Sequence, residues 1–188
     1  MHRWARMTVW SGVLVGAALL ASACDRTQNP AGVKQVGPPN LWEGYIPATD
    51  RITGGGKLGD GHDFATFGFT TRPGQGQIEW VQHCLDGVNP NSPTCQWGQF
   101  SFHGSTVDEY YEHPDDPDHC RVWTGSGELN MRDPSMQYLD GTYQYTVDKA
   151  CDYGEPGVGH DYMSMSIGDY YRGDVLRGGN IQLHKANP

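Results

Sequence analysis

The sequence predicts an all-β protein, an antiparallel β-sandwich with a flattened barrel as the alternative, of about seven to nine strands and cross-linked by two disulfides. Apolar residues recur at every second position in several segments, as at Ala65, Phe67 and Phe69, which is the pattern of a strand with one buried face. Turn-forming residues separate these segments, since the chain holds 26 glycines and 12 prolines. No segment after Leu20 shows a helical stripe, so we expect little helix.

The individual strands follow from this alternation in chain order. The clearest alternation is in residues 64–69, 143–148 and 163–168, and shorter apolar runs bounded by Gly, Pro, Asn or Asp predict the rest. We also expect the segment 181–185 to be an integral strand although it lies near the C-terminus. The expected strands cover residues 52–57, 64–69, 78–84, 100–103, 122–129, 143–148, 163–168 and 181–184.

Four cysteines after residue 80 suit two disulfides. Cys84 and Cys95 flank a loop with Asp-Gly and two prolines, so a bond between them would close the neck of a hairpin. The strands that begin at Cys120 and end at Cys151 fold together around a turn at residues 132–135, which places these two cysteines opposite each other. A zinc site is the alternative, but the close Cys-x-x-Cys spacing is absent. We therefore predict the pairs Cys84–Cys95 and Cys120–Cys151.

The N-terminus has the organisation of an export signal. Arg3 and Arg6 precede an apolar stretch, residues 8–20, and Ala21-Ser22-Ala23 follows as a small-residue cleavage site, which predicts a signal peptide over residues 1–23. The apolar stretch is too short for a membrane span, which needs about 20 apolar residues. The protein is therefore expected to be exported.

Cys24 is the odd cysteine among five and directly follows this cleavage site. Leu20 and the small residues before Cys24 resemble a bacterial lipobox, although Ala21 stands where leucine is usual. We predict that Cys24 is lipidated and that the protein is anchored in a membrane, facing the periplasm or the exterior. Asp25 resembles the inner-membrane retention signal of some Gram-negative bacteria, but the choice of membrane stays open. Ordinary secretory cleavage after Ala23 is the alternative.

Three regions are expected: the signal peptide over 1–23, a lipidated cysteine with a flexible polar tether over 24–50, and one β-domain over 51–188. The chain has 22 acidic and 13 basic residues, a net charge of −9. This charge repels phosphate backbones, so no nucleic-acid partner is expected.

Four short segments of the expected β-domain carry a likeness to a known family. The segments are Gly54-Gly55-Gly56, residues 65–69, Asp152 with Gly154-Glu155-Pro156-Gly157 and Asp161, and residues 179–182 with His184-Lys185. Together they resemble a family of secreted bacterial β-domains close to those called post-COAP-1 domains. The resemblance implies a β-domain that stands alone behind an export signal or ends a larger surface protein, and it implies no catalytic residues, because no activity is established for the family. The two cysteine pairs and the acidic run near His113 depart from the family pattern.

Calcium is the one cofactor that the sequence suggests. Asp152, Glu155 and Asp161 place three carboxylates in a tight loop, and Ca²⁺ prefers six to eight oxygen ligands. The alternative is a plain turn around Pro156, since proline and glycine favour turns in any case. The run from His113 to His119, with two histidines and three aspartates, could likewise hold a metal or form a solvated loop.

A binding function fits the aromatic content better than catalysis does. Tyr110, Tyr111, Tyr170 and Tyr171 form two tandem pairs, and in a strand one member of each pair points outward, which suggests a surface for a glycan or an envelope protein. The common motifs of serine hydrolases, metalloproteases and nucleotide-binding proteins are absent, so no catalytic residue is assigned.

The sequence thus favours a membrane-tethered binding or structural module at the cell envelope. The alternative is a β-sandwich hydrolase acting on polysaccharide. Such an enzyme needs two carboxylates about 5 to 10 Å apart, and Asp108, Glu109 and Glu112 are the candidates.

Overall fold

The computed structural model describes residues 44–185. The signal peptide, Cys24 and most of the expected tether lie outside the described residues. The predicted all-β antiparallel class is confirmed. Every expected strand is present, and two further strands occur at residues 109–112 and 170–175. The strands are β1 Arg51–Asp60, β2 Asp63–Arg72, β3 Gln75–Cys84, β4 Phe100–Gly104, β5 Glu109–Glu112, β6 Cys120–Met131, β7 Gly141–Cys151, β8 Tyr162–Ile167, β9 Tyr170–Val175 and β10 Gly178–His184, with a 3₁₀ helix at Pro134–Leu139 between β6 and β7.

All the strands belong to one sheet that curls into a half-barrel. Its order is β10-β1-β2-β3-β4-β6-β7-β8-β9, and β5 pairs with β6 beyond the end of β4. Every neighbouring pair is antiparallel. This curled sheet corresponds to the flattened barrel, the alternative to the favoured sandwich.

The chain itself links the two ends of this strand order. Only Leu176 and Arg177 separate β9, which pairs with β8, from β10, which pairs with β1. The backbone nitrogen of Arg177 also donates to the carbonyl oxygen of Lys57 at 2.8 Å. A single bent segment, residues 170–184, therefore spans the gap between the first and last strands.

The core lies inside the curl and follows the predicted alternation. Phe67 and Trp80 lie opposite each other on β2 and β3 and stack with ring centroids 5.9 Å apart. Aromatic rings from the opposite wall fill the remaining space, because a curled sheet needs large side chains to close its interior. The largest fully buried aromatic side chains are Trp80, Trp123, Tyr145, Tyr170, Phe100 and Phe102.

The folded part extends further toward the N-terminus than the predicted end of the tether at residue 50. The backbone nitrogen of Glu112 donates to Ile46 at 2.9 Å, and that of Ala48 donates to Tyr110 at 3.3 Å. Ala48 is buried in the core cluster. These residues lie along β5 because β5 is short and has an unpaired edge, which the incoming chain covers. Residues 46–48 of the predicted tether therefore pack against the β-domain.

Candidate functional site

The two disulfides join the predicted partners. Cys84 and Cys95 close the loop between β3 and β4, and Cys120 and Cys151 face each other across β6 and β7. All four sulfur-bearing residues are buried. Such bonds persist in oxidising compartments, so the structure indicates an extracytoplasmic environment.

No helix within residues 44–185 is long and apolar enough to cross a membrane.

Two of the four tyrosines predicted to form a binding surface lie in the core instead. Tyr110 is buried, and its hydroxyl donates to Oδ1 of Asp50 at 3.2 Å. Tyr170 is fully buried, where its hydroxyl donates to Gln82 at 2.7 Å and accepts from Nε1 of Trp80 at 3.1 Å. Neither side chain is therefore available to a ligand on the outside of the sheet.

The other two tyrosines of that prediction lie far apart on the sheet. Tyr111 is on β5, where its ring packs edge-on against Tyr45 with centroids 6.0 Å apart. Tyr171 is on β9 and is 50% exposed. Since β6, β7 and β8 lie between them, about 19 Å separates the two positions at the usual strand spacing. The structure does not bring the four tyrosines together on one surface.

Tyr171 instead has a different partner, Tyr162, on the outer face of β8 and β9. Ser164 on β8 lies directly opposite Gly173 on β9. Tyr162 is two residues before Ser164, and Tyr171 is two residues before Gly173, so all four residues share one face of the sheet. A methyl group built on Gly173 would lie 2.6 Å from the Tyr162 hydroxyl oxygen and 2.7 Å from that of Tyr171. The two phenol side chains therefore meet over Gly173. We call this group the tyrosine strip.

Hydroxyl groups make the tyrosine strip polar at its centre. Burial, together with the neighbouring Tyr171, raises the pKa of Tyr162 to about 12, and Ser164 opposes the rise. Ser164 is buried beneath the rings. The centre of the strip therefore holds three hydroxyl-bearing side chains, those of Tyr162, Tyr171 and Ser164.

Sequence reasoning missed Tyr162 because its partner is set by strand pairing. The alternation of Met163 and Met165 with Tyr162 and Ser164 does show that Tyr162 points away from the core. Only the register between β8 and β9 shows that its hydroxyl reaches Tyr171 over a glycine. The glycine at 173, where a strand residue with a side chain would be usual, is the one signal that a close approach is needed.

The three carboxylates predicted as calcium ligands contact the free edge of β10. The loop that contains them, residues 152–161, is called the edge loop below. Oδ2 of Asp161 accepts from the backbone nitrogen of Ile181 at 2.7 Å, and Oδ2 of Asp152 accepts from that of Leu183 at 2.8 Å. These nitrogens are two residues apart on the side of β10 that faces away from β1. The edge loop therefore covers an otherwise unpaired strand edge.

Glu155 completes the contact of the edge loop with β10. Its Oε1 accepts from the side-chain amides of Asn180 at 2.7 Å and Gln182 at 2.9 Å. Oδ1 of Asn180 in turn accepts from the backbone nitrogen of Gly157 at 3.0 Å. Polar contacts thus join the edge loop to four consecutive residues of β10, 180–183.

Asp161 is the most buried of the three acids and also fixes the edge loop internally. Its Oδ1 accepts from the backbone nitrogen of Tyr153 at 2.9 Å. Burial raises the pKa of Asp161, with Asp152 and Glu155 adding repulsion, whereas the two backbone hydrogen bonds oppose the rise. The calcium site at these three residues stays a prediction, and the contacts seen here are those of an edge cover.

The ligand atoms of the acidic run from His113 to His119 do not converge. Nδ1 of His119 lies 2.8 Å from Oδ1 of Asp116, whereas burial and the ammonium of Lys149 lower the pKa of His113. Among the described residues, one cluster has the spacing of a metal site, namely Asp63 with Cys84 and Cys95. The sulfurs of that cluster are bonded to each other, so they are not free thiolates.

The carboxylates considered for a hydrolase lie at β5. Glu109 and Glu112 are three residues apart on this strand, so their side chains leave on opposite faces. Oε2 of Glu109 is 3.5 Å from the hydroxyl of Thr124, and Asp108 precedes the strand. This placement offers no facing pair of acids from these three residues.

Comparisons with known proteins add no relative: no family model, no curated protein and no solved structure matches the chain. The resemblance to post-COAP-1 domains therefore stays a prediction from the sequence. Function has to be inferred from the residues themselves.

Proposed function

We propose that this protein is an exported, membrane-tethered binding module of the bacterial cell envelope. One observation supports this proposal above the others. The four cysteines of the β-domain are consumed in two buried disulfides, which leaves Cys24 as the single cysteine with a separate role. A cysteine directly after a small-residue cleavage site is where bacterial lipoproteins carry their lipid.

The energetics of lipid insertion fit this role. Each buried methylene contributes about 0.8 kcal/mol, and stable attachment takes at least two acyl chains. A diacylglyceryl group on Cys24 supplies those two chains. The protein then needs no membrane-spanning segment of its own.

The attachment of the chain to the β-domain also fits a tethered module. The chain enters beside β5 and is fixed there by Asp50, whose carboxylate pairs with Arg121. The described end of the tether is therefore fixed to the β-domain at Asp50.

Cys24→Ser tests the anchor. The variant cannot form the thioether, so we expect it to accumulate unprocessed or to appear in the soluble fraction, whereas the wild type sediments with membranes. Fractionation, with the intact mass of the N-terminal peptide, measures both outcomes. Ala21→Leu is the matched control, because it brings the signal closer to the lipobox and keeps membrane attachment.

A soluble wild-type protein with an unmodified Cys24 at its mature N-terminus would contradict the proposal. The disulfides and the β-domain should be unaffected by Cys24→Ser in either case, because Cys24 pairs with none of the other four cysteines. A thermal melt of the purified variant checks this.

A further inference from the structure

We infer that the tyrosine strip of Tyr162, Tyr171 and Gly173 binds a neutral polysaccharide chain. This inference deepens the proposed binding role and rests on it, but it is independent of the anchor at Cys24. The strip is a place where paired aromatic rings lie on the outer face of the sheet.

The geometry of the tyrosine strip is that of a flat platform. A side chain that stood upright would leave space above Gly173, but the hydroxyl oxygens of Tyr162 and Tyr171 lie within 2.7 Å of where a β-carbon would be. The two side chains therefore run along the sheet toward each other. Tyr171 is 50% exposed and Tyr162 is half-buried, so both side chains can be reached from solvent.

The tyrosine strip is longer than a single sugar ring. Tyr162 on β8 is opposite Val175 on β9, and Val175 is four residues from Tyr171. The α-carbons of Tyr162 and Tyr171 are therefore about 13 Å apart along the strand direction, at 3.3 Å per residue. A ligand that contacts both rings has to be an extended chain. This favours a polysaccharide over a free monosaccharide.

The chemistry of the tyrosine strip suits carbohydrate. Sugar rings have apolar C–H faces that pack against aromatic rings and a rim of hydroxyls that need hydrogen-bond partners. The strip offers both, since two phenol rings are flanked by polar groups. Next to Tyr171 on β8 lies Ser166, whose hydroxyl donates to Oδ2 of Asp148 at 2.7 Å.

The charges around the tyrosine strip favour a neutral ligand. Lys149 lies directly opposite Ser164 on β7, and its neighbour Asp148 accepts from Ser166, so charges of both signs flank the strip. Asp174 is paired with Met163 on the other face of the sheet and contacts Arg177 at 3.5 Å. Arg172, the cation between Tyr171 and Gly173, turns inward to Asp63. This balance of charge on the outer face favours a neutral ligand over a strongly anionic one. The net charge of −9 acts in the same direction.

Binding of the full mature chain, purified in detergent, to a glycan array and to insoluble neutral polysaccharides tests the inference. We expect binding to at least one neutral polysaccharide and at least a tenfold loss with Tyr171→Ala. Tyr171→Phe should keep most of the binding, because the stacking face is retained. Tyr138→Ala is the matched control: it removes another tyrosine, 76% exposed on the 3₁₀ helix, and should bind like the wild type.

Gly173→Ala is a second test variant, in which the rings of Tyr162 and Tyr171 are both retained. Its new methyl group would displace the two hydroxyls from the sheet, so we expect weaker binding without loss of either aromatic side chain. Melting curves confirm that each variant is folded.

Three results would overturn the inference: no neutral glycan bound, equal binding by wild type and Tyr171→Ala, or preference for anionic glycans. Capture of a protein partner that depends on Tyr171, together with an empty glycan array, would also overturn it. None of these results bears on the fractionation of Cys24→Ser, so failure here is distinguishable from failure of the proposed anchor.

Discussion

Arg121 shows how one buried residue connects three parts of the chain. Its Nε donates to Oδ1 of Asp50 at 2.9 Å, and its Nη2 to the other carboxylate oxygen. Its Nη1 donates to the carbonyl oxygens of Pro117 at 2.6 Å and Cys120 at 2.7 Å. Both side chains of the ion pair are almost fully buried, at 3% and 9% exposure. The guanidinium therefore holds the incoming chain, the acidic run and the start of β6 together.

Asp50→Ala should destabilise the fold strongly. Removing one partner leaves the other charge buried without compensation, which typically costs about 3 to 5 kcal/mol. Equilibrium urea unfolding measures this change. Asp86→Ala is the control, because that carboxylate pairs with His62 at 79% exposure and should cost less than about 1 kcal/mol. Equal effects of the two substitutions would show that Asp50 is not part of the folded core.

At the same scale, the tandem tyrosines show how far alternation can predict a site. Side chains alternate between the two faces of a strand, so one member of each tandem pair must point inward, as Tyr170 does while Tyr171 points outward. The alternation alone does not predict which member points inward. That depends on the phase of β9 relative to the core, which is set by contacts with Gln82 and Trp80 about 90 residues earlier in the chain.

At the scale of elements, β10 illustrates how a sheet edge is protected. An unpaired strand edge offers backbone groups to any other strand, and proteins commonly cover it with a loop. Here the edge loop supplies carboxylates to the backbone nitrogens of Ile181 and Leu183. A charged acceptor makes a stronger hydrogen bond than a neutral one. This explains why three acids gather in one short loop without requiring an ion.

Asp161→Ala should open this edge. The backbone nitrogens of Tyr153 and Ile181 would lose their acceptor, and each buried unpaired donor costs about 1 to 3 kcal/mol. We expect a lower urea midpoint and faster amide exchange at Ile181 by hydrogen–deuterium exchange. Glu155→Ala should have a much smaller effect, because Glu155 is exposed and accepts only from side chains. Unchanged exchange at Ile181 in the Asp161 variant would contradict the role of the edge loop.

Strand prediction succeeded where the signal is local and failed where it is not. Residues 64–69 and 163–168 alternate clearly and have one buried face, so β2 and β8 follow from the sequence. β5 is four residues long, and β9 includes a glycine and two charged residues, so neither shows a clear alternation. The choice between a sandwich and a curled sheet depends on long-range pairing, which composition and periodicity do not encode.

At the scale of the whole molecule, a partly buried polar network closes the curl. Arg172 of β9 donates from Nη2 to the carbonyl oxygen of Asp63 at 2.9 Å and from Nη1 to Oε1 of Gln82 at 3.1 Å. Nε2 of Gln82 donates to Oδ1 of Asp63 at 2.9 Å. Because β9 ends the strand order while Asp63 and Gln82 belong to β2 and β3, this network joins opposite walls of the half-barrel.

This network makes the stability of the protein depend on pH in a defined direction. Burial alone would raise the pKa of Asp63, but hydrogen bonds from Arg172, Thr94 and Gln82 and the charge of Arg172 outweigh it and hold the pKa below 3.8. A carboxyl whose pKa is lower in the folded state stabilises that state above its unfolded pKa. The contribution disappears as the pH falls through the folded value.

Asp63→Asn should therefore be less stable than the wild type at pH 7, and the difference should shrink as the pH falls below about 3.8, the ordinary aspartate value. Urea midpoints of both proteins between pH 7 and pH 2 measure it. Asp60→Asn is the control, because its carboxylate is 68% exposed and contacts only surface cations, so its difference from wild type should stay small throughout. A difference for Asp63→Asn that persists at pH 2 would show that Asp63 contributes through the shape of its side chain and not through its charge on Arg172.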